Sequence, residues 1–473
     1  MSTAEATYDI TRGVFEGLVA LDDAGVPQPQ LAESVEVNDD YTEFVFHLRE
    51  GVTFHDGSAL DATDVVDSLT RWQENSPAGA AFAEVTFEAT DESTMTLTSP
   101  TSFFAALTML ANHQNQYPAI TSSEAIASAG AAGMEDIVGT GPYAYVEWQD
   151  TQHVQLEKFA DYTPYEVDTT GGAAPSVAHY DEIWFDFVPD PSTALSGFQV
   201  GDYDVYASPS ADQLVQLSEM PDVASATQVR GVSGITINRT ADSVFGDKPM
   251  RQALAMGLDN EAVLQGAYVD PMFYSADGSL ALPGQEDWMT EAGLENYDRV
   301  DVDGAKDLIE SAGNTGAELT LVTTREYPTL YDMGVVIQQE LEGLGFTVSM
   351  ETYDWATMLD ILSNSPDAWD LSPMAWSPQS IPTRYTYMSP NEDGAGEETA
   401  YYEAIDAVNH AAGEEEAQAA MADLQEVFWE EVPMAKTGTY NAMMFWDSAS
   451  VQEITLQTGA GATGLYYLAE PAS

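Results

Sequence analysis

Apolar positions along this chain recur with two spacings that alternate from segment to segment. Phe44, Phe46 and Leu48 occupy every second position, which predicts a strand with one buried face over 44–48. Met95 to Thr98 alternates in the same way. Between them, Asp61-Ala-Thr-Asp64 is a helix start, and Val65, Val66, Leu69 and Trp72 follow on one helical face. An earlier helical stretch, Tyr8 to Glu16, ends at Gly17. Tyr143 to Glu147, His153 to Glu157 and Glu182 to Val188 predict further strands. Asp247 with Pro249 marks another helix start. Leu319 to Thr323 reads as a strand, and Leu330 to Leu344 as a helix. Its stripe is Val335, Ile337, Leu341 and Leu344, and it stops at Gly345. Phe346 to Met350 is the next strand, so this unit implies a parallel crossover. An acidic helix over 414–430 turns Ala420, Leu424, Val427 and Phe428 inward. Short strands around Ala442 to Phe445 and Val451 to Leu456 close the chain. The fold class is α/β. Gly171 to Pro175 is the most loop-like stretch, and it is short, so interleaved domains are expected.

Composition sharpens this reading. The chain has 473 residues, of which 44% are hydrophobic and 10% aromatic, enough for a large core. Two or three domains are expected at this length. No apolar run reaches the roughly 18–20 residues of a membrane span. Lys plus Arg number 13 against 79 Asp plus Glu, a formal net charge of -66. Nucleic acid is excluded as a partner, because nothing neutralises phosphates, and anionic membrane surfaces repel such a chain. The lysines are Lys158, Lys248, Lys306 and Lys436. A lysine-poor, acid-rich surface suits high salt, where screening removes self-repulsion. Cysteine is absent, which excludes disulfides, zinc thiolates and cysteine nucleophiles.

Enzyme and cofactor motifs are missing; the alternative of another class is a glycoside-acting enzyme, for which acid pairs are too many to single out a catalytic couple. The histidines, His47, His55, His113, His153, His179 and His410, lack ligand spacing, so no metal is expected. Gly459-Ala-Gly461-Ala-Thr-Gly464 matches a dinucleotide fingerprint, but too little chain follows for a helix, a strand and an acid. Gly231-Val-Ser-Gly234 is one residue short of a nucleophile elbow, and no phosphate-binding loop exists. No cofactor is expected. One segment has ligand-pocket character: Trp369 to Tyr387, a strand running into a loop rich in aromatics and prolines. It offers Trp376, Gln379, Arg384 and Tyr385. Arg325-Glu-Tyr327, just after a strand, is a second candidate, with the arginine as an anion clamp.

The stretch Pro29-Gln-Leu-Ala-Glu-Ser-Val with Phe44-Val-Phe-His-Leu-Arg-Glu-Gly-Val-Thr-Phe-His-Asp-Gly resembles the signature region of family 5 extracellular solute-binding proteins. These are the peptide, nickel and opine receptors of ABC importers. Gly139-Thr-Gly-Pro-Tyr143, Asp202-Tyr-Asp-Val205, Met250 to Asp259 and Ala305 to Gly313 continue the resemblance in family order. It implies a two-lobed protein of the large peptide-binding type, without catalytic activity, that closes on its ligand about a hinge. Lobe I would be 1–233, with a subdomain about 30–140, and would recover 441–473. Lobe II would be 234–440. The crossings are expected near Gly234 to Asn238 and Thr439 to Ala442. The loaded form would dock on ABC permease subunits in the membrane, as a monomer. The family is exported, so a targeting segment and a lipid anchor or secretion signal are expected ahead of the polar start Met1-Ser-Thr-Ala-Glu.

In dipeptide-type members an Arg-x-Tyr after a lobe II strand holds the ligand carboxylate, and Arg325 and Tyr327 match it. In peptide-binding members an Asp three residues beyond the loop Trp pairs with the ligand ammonium. Here the Trp is Trp376 and that position is Gln379, an amide without charge. The resemblance therefore implies a peptide-like or carboxylate-bearing solute, with blocked peptides, opine-like conjugates or sugar-bearing ligands ahead of free-amine peptides. Trp376, Tyr385 and Tyr387 would supply stacking faces for a sugar.

The charge makes one prediction. Melting temperature rises steeply from dilute buffer to molar salt as repulsion between acids is screened over ~3 Å at 1 M. A thermal melt that stays flat over that range removes the salt-adapted reading.

Overall fold

The computed structural model describes residues 5–22, 24–112, 117–129, 133–134, 136–165, 173, 176–207, 209, 211–297, 299–390, 392–454 and 469–471. Most of Gly171 to Pro175, all of Gly459 to Gly464 and His113 lie outside them.

The chain opens with α1 (Glu5–Thr11) and a hairpin of β1 (Val19–Leu21) and β2 (Pro27–Pro29). Next come β3 (Ala32–Val37), β4 (Glu43–Leu48), β5 (Thr86–Asp91) and β6 (Thr94–Thr98), an antiparallel sheet in the order β3-β4-β6-β5. Phe44, Phe46 and Leu48 face the core, as their alternation requires. Helix α2 (Ala62–Asn75) buries Val65, Leu69 and Trp72 in the same core. It begins with a reciprocal cap: Asp61 accepts from the Thr63 and Asp64 amides, and Asp64 accepts from the Asp61 amide. Then α3 (Ala106–Leu110) and α4 (Ser123–Ser128) lead to a meander of β7 (Tyr143–Gln149), β8 (His153–Lys158) and β9 (Glu182–Asp186).

The largest sheet is reached through α5 (Pro191–Val200), β10 (Val205–Tyr206) and α6 (Ala211–Ser218). Its further strands are β11 (Val223–Ile237), β12 (Tyr274–Ser275), β13 (Glu318–Thr324), β14 (Thr347–Tyr353), β15 (Leu371–Trp376) and β16 (Met434–Asp447). The order is β10-β16-β11-β15-β13-β14, with β12 beside β16. The pairs β13–β14 and β13–β15 are parallel; the rest are antiparallel. One face is covered by α7 (Lys248–Gly257), α8 (Asn260–Tyr268), α9 (Val302–Ser311) and α10 (Pro328–Leu344). On the other, α11 (Trp355–Asn364) packs Met358 and Leu362 on Val322 and Trp369. Helices α12 (Thr399–Asn409) and α13 (Glu414–Glu431) precede β16, and β17 (Val451–Ile454) pairs with β18 (Ala469–Pro471). No helix among the described residues is long and apolar enough to cross a membrane.

Several expectations shift. The stripe of α10 is Leu330, Met333, Ile337, Leu341 and Leu344, with Val335 only half-buried. Asp247 precedes α7 in extended conformation, but its side chain makes no capping bond. The first helix ends at Thr11, not Glu16. β16 is far longer than the short strand expected inside it around Ala442 to Phe445, and β11, where only a crossing near Gly234 to Asn238 was expected, is a strand of 15 residues. From Met434 to Thr439 β16 is buried at every position, so no alternation marks it.

β11 and β16 run together through two different cores. Val223–Val229 pair with residues 447–441, and Gly231–Thr236 with residues 440–434. Arg230 is the extra residue of the bulge between them. Beside it Gly231 has φ +155°, and a Cβ there would sit 1.9 Å from the Trp376 carbonyl oxygen.

Two buried glutamines fix the segment 276–297 beneath the loop that follows β15. Gln425 Nε2 donates to the Thr290 and Ala292 carbonyls, and its Oε1 accepts from the Leu280 amide. Gln285 Nε2 donates to the Gln379 and Ser380 carbonyls, both at 2.9 Å, and its Oε1 accepts from the Leu282 amide.

Two substitutions test this framework by urea unfolding in molar salt. Gly231→Ala forces β11 away from β15 and is expected to destabilise by about 1–3 kcal/mol. Gln285→Leu fills the space but leaves three buried backbone groups unpaired, at about 2–4 kcal/mol in total. Losses under about 0.5 kcal/mol, the usual size of a neutral surface change, contradict these assignments.

Candidate functional site

Parallel pairing sets where the candidate residues emerge. Leu321 is in register with Leu371, so β13 and β15 end on the same edge of the sheet, as does β14. After β13 the chain turns to α10 on one face. After β14 it turns to α11 on the other face. Loops that diverge from neighbouring parallel strands leave a crevice at their carboxyl ends, the usual ligand position in open α/β sheets.

Arg325 and Tyr327 stand at this edge, and both are exposed. The Arg325 guanidinium lies 3.8 Å over the Tyr331 ring and donates to its hydroxyl. It has no carboxylate partner among the described residues. Tyr327 precedes α10, is 49% exposed, and meets Trp355 edge-on at 4.9 Å. Trp355 is the first residue of α11, and its amide donates to Glu326 Oε2 at 3.2 Å. Sequence reasoning missed Trp355. The available signal was its place just after a strand, matching that of Arg325 and Tyr327 in the loop before.

Trp376, Gln379, Arg384 and Tyr385 form a second group, more deeply placed. Trp376 ends β15, donates from Nε1 to Thr386 Oγ1 at 3.1 Å, and meets Tyr387 edge-on at 5.1 Å. Tyr385 is 2% exposed and its ring stacks on Tyr387 at 5.0 Å. Both tyrosines belong to the core, so their faces are not free for a sugar. Desolvation raises the pKa of both phenols. Gln379 is buried; its Nε2 donates to the Ser377 carbonyl, and its Oε1 accepts from Asn112 Nδ2 at 3.3 Å. Asn112 was also missed, having no motif around it. Arg384 donates from Nη1 to the Ala78 carbonyl at 2.9 Å, and burial pulls its pKa down to about 10.

This second group lies against residues 78–112. Ser102 Oγ donates to the Ala411 carbonyl, the Ala105 amide to the Asn409 carbonyl, and Phe103 stacks on His410 at 5.4 Å. Segments some 300 positions apart in sequence thus close on each other beside Gln379 and Arg384.

Among the described residues, no three His, Asp or Glu gather in a way that could hold a metal. His55 has a backbone role: its ring bonds the Gly141 carbonyl and accepts from the Gly139 amide, and burial lowers its pKa.

Comparison with known proteins agrees with this architecture. The family model described as bacterial extracellular solute-binding proteins, family 5 Middle, matches residues 26–397. A probable peptide ABC transporter periplasmic-binding protein of Sinorhizobium fredii is 23% identical over 375 residues, 76% of this chain and 68% of that one. The oligopeptide-binding protein AppA of Bacillus subtilis is 24% identical over 427 residues, 81% and 72% of the two chains. Among solved structures, AgaA from A.tumefacien R10, in complex with agropinic acid, aligns with a TM-score of 0.83 at 22% identity, covering 97% of this chain and 92% of its own. A dipeptide binding protein from Pseudoalteromonas sp. SM9913, in complex with Met-Leu, gives 0.82 at 20% identity, with 99% and 96% covered. The fold is that of the two-lobed binding proteins, and the chain belongs to the family 5 bacterial extracellular solute-binding proteins, the ligand-capturing components of ABC importers.

Proposed function

We propose that this chain captures a carboxylate-bearing, peptide-like solute outside the cytoplasm and delivers it, without turnover, to an ABC permease. One observation carries the reading. In a chain with 79 acids, Arg325 stands exposed at the carboxyl edge of a parallel sheet without an acid partner among the described residues, close to the exposed ring of Tyr327 and the half-buried ring of Trp355. Arginine holds a carboxylate with two parallel hydrogen bonds, and the aromatic rings add apolar contact area around it.

The lobes in this reading are 1–233 with 441–473, and 234–440. The bulge at Arg230, opposite Tyr440 and Asn441, supports a hinge at the strand crossings, since a bulge interrupts the ladder where bending is easiest. Residues about 30–140 form a subdomain of lobe I, and the contacts of Asn112 and Ala78 with Gln379 and Arg384 then belong to the closed form. The precursor carries an export signal and an anchor or secretion signal, and the mature protein acts as a monomer. The Gln379 carboxamide is engaged by Asn112 and Ser377, so this loop presents no carboxylate to an ammonium. That favours blocked peptides and opine-like conjugates over free-amine dipeptides. Trp376 is buried in the same core as Tyr385 and Tyr387, so a sugar-bearing ligand stacks on Tyr327 or Trp355.

A thermal-shift screen in molar salt tests this, with free dipeptides, N-acylated dipeptides, opine-type conjugates, oligosaccharides and Ni²⁺. A true ligand at 100 times its dissociation constant stabilises by about 2.7 kcal/mol. A shift with carboxylate-bearing conjugates is expected, and Arg325→Ala should weaken that ligand by more than about ten-fold. A shift with oligosaccharides or Ni²⁺ alone overturns the solute class. Unchanged affinity in the variant removes Arg325 from the clamp.

A further inference from the structure

Arginine is scarce in this chain, and where it is buried an acid normally meets it. Arg239 meets Glu392 and Glu398 at 3.2 and 3.1 Å. Arg251 meets Glu398 and Glu431 at 3.5 and 3.2 Å. Arg49 lies 3.8 Å from Glu16, and Arg230 lies 3.7 Å from Asp9. Arg384, which is half-buried, departs from this pattern. Its one hydrogen bond goes to the Ala78 carbonyl, and no carboxylate among the described residues pairs with it. Burial is the whole cause of its lowered pKa; no neighbouring acid pulls it back up. Arg384 is half-buried and its remaining donors are not enclosed, so they stay reachable, and in a chain with 79 acids a partner for them would be easy to supply.

Its position gives the vacant donors a use. Arg384 ends the short turn Pro382–Arg384, just past Gln379, in the layer that meets residues 78–112. Arg325 follows β13, and Arg384 lies in the loop that follows its parallel neighbour β15. Both arginines therefore lie beyond the carboxyl ends of adjacent strands, and both lack an acid.

We propose that Arg384 is an anion-recognition residue of the cleft, and that with Arg325 it selects a solute carrying two anionic groups. This rests on the reading that the lobes close on a carboxylate-bearing solute. The net charge of -66 repels any anion at long range. In molar salt that field is screened within ~3 Å, so recognition falls to contact partners, and only an arginine without its own acid is available for it. The rival role is a plain tie between Arg384 and the Ala78 carbonyl. A glutamine at 384 keeps such a donor and removes the charge.

The test is calorimetry on the full chain in molar salt with N-acetyl-Ala-Glu, which has two carboxylates, and N-acetyl-Ala-Gln, which has one. Wild type is expected to prefer the first by at least about ten-fold. Arg384→Gln should abolish that preference and leave affinity for N-acetyl-Ala-Gln unchanged, and Arg325→Gln should weaken both. If Arg384→Gln fails to fold by circular dichroism, Arg384→Lys carries the test: charge without the planar fork should reduce the preference only partly. Equal weakening of both probes by Arg384→Gln shows a tie and overturns the proposal, as does an undiminished preference. Binding of both probes by wild type without preference overturns this inference alone. Binding of neither probe, nor of a dicarboxylate opine, overturns the solute class along with it.

Discussion

The ladder between β11 and β16 is the longest strand pairing among the described residues, and it runs past three of the hydrophobic cores. Its first part lies with Met444, Trp446, Val451 and Ile454, and its second lies between the two largest cores. Any motion of one core relative to the other has to bend these strands. A continuous ladder resists that, because every residue contributes a hydrogen bond. At Arg230 the register is already broken, and a second shift follows between Ser233 and Gly234. Gly231 permits the close pass of the Trp376 carbonyl at the same level, which ties the bending point to the end of β15. The break in the ladder and the loop after β15 are thus neighbours along one strand pair.

Charge is distributed by the same economy. Few cations are available, and most hold fixed joints. Arg239, Arg251 and Lys248 join Glu392, Glu398, Glu430 and Glu431, fastening the start of α7 and the loop before α12 to the end of α13. Removing one partner from such a network leaves a buried charge uncompensated, so these arginines define geometry more than they add net stability. Lys436, nearly fully buried, donates to the Ser279 carbonyl, and desolvation draws its pKa down to about 8. Against that background, a cation left without an acid at a strand end is an informative departure.

Much of the fold was legible in the sequence because amphipathic patterns report burial on one side. The alternation of Phe44, Phe46 and Leu48, the cap at Asp61 and the β13–α10–β14 crossover all appear as read. Elements buried on both sides were not legible. Lys436, Thr437 and Gly438 fall before the short strand read around Ala442 to Phe445, yet they lie near the start of β16, because covered faces remove the polar positions that would mark its period. The site divides in the same way. Arg325, Tyr327, Trp376 and Gln379 were visible through motif resemblance, whereas Trp355 and Asn112 matter only through contacts made in three dimensions. Tyr385 and Tyr387 show the converse: aromatic residues beside a ligand loop read as binding faces until their mutual stacking places them in the core.

Holding the ligand loop with neutral amides has a physical consequence in a chain of this charge. Gln285, Gln425, Asn112 and Gln379 fix the segments around Trp376 by hydrogen bonds whose strength depends little on ionic strength and not at all on pH near neutrality. An ion pair in the same place would weaken with salt if exposed, or demand a matched counter-charge if buried. The loop therefore keeps its shape across conditions that strongly change the surface field. Contact-range hydrogen bonds are the electrostatic interactions that survive screening. Neutral amide supports and sparse cations without an acid thus stand side by side around the loop after β15.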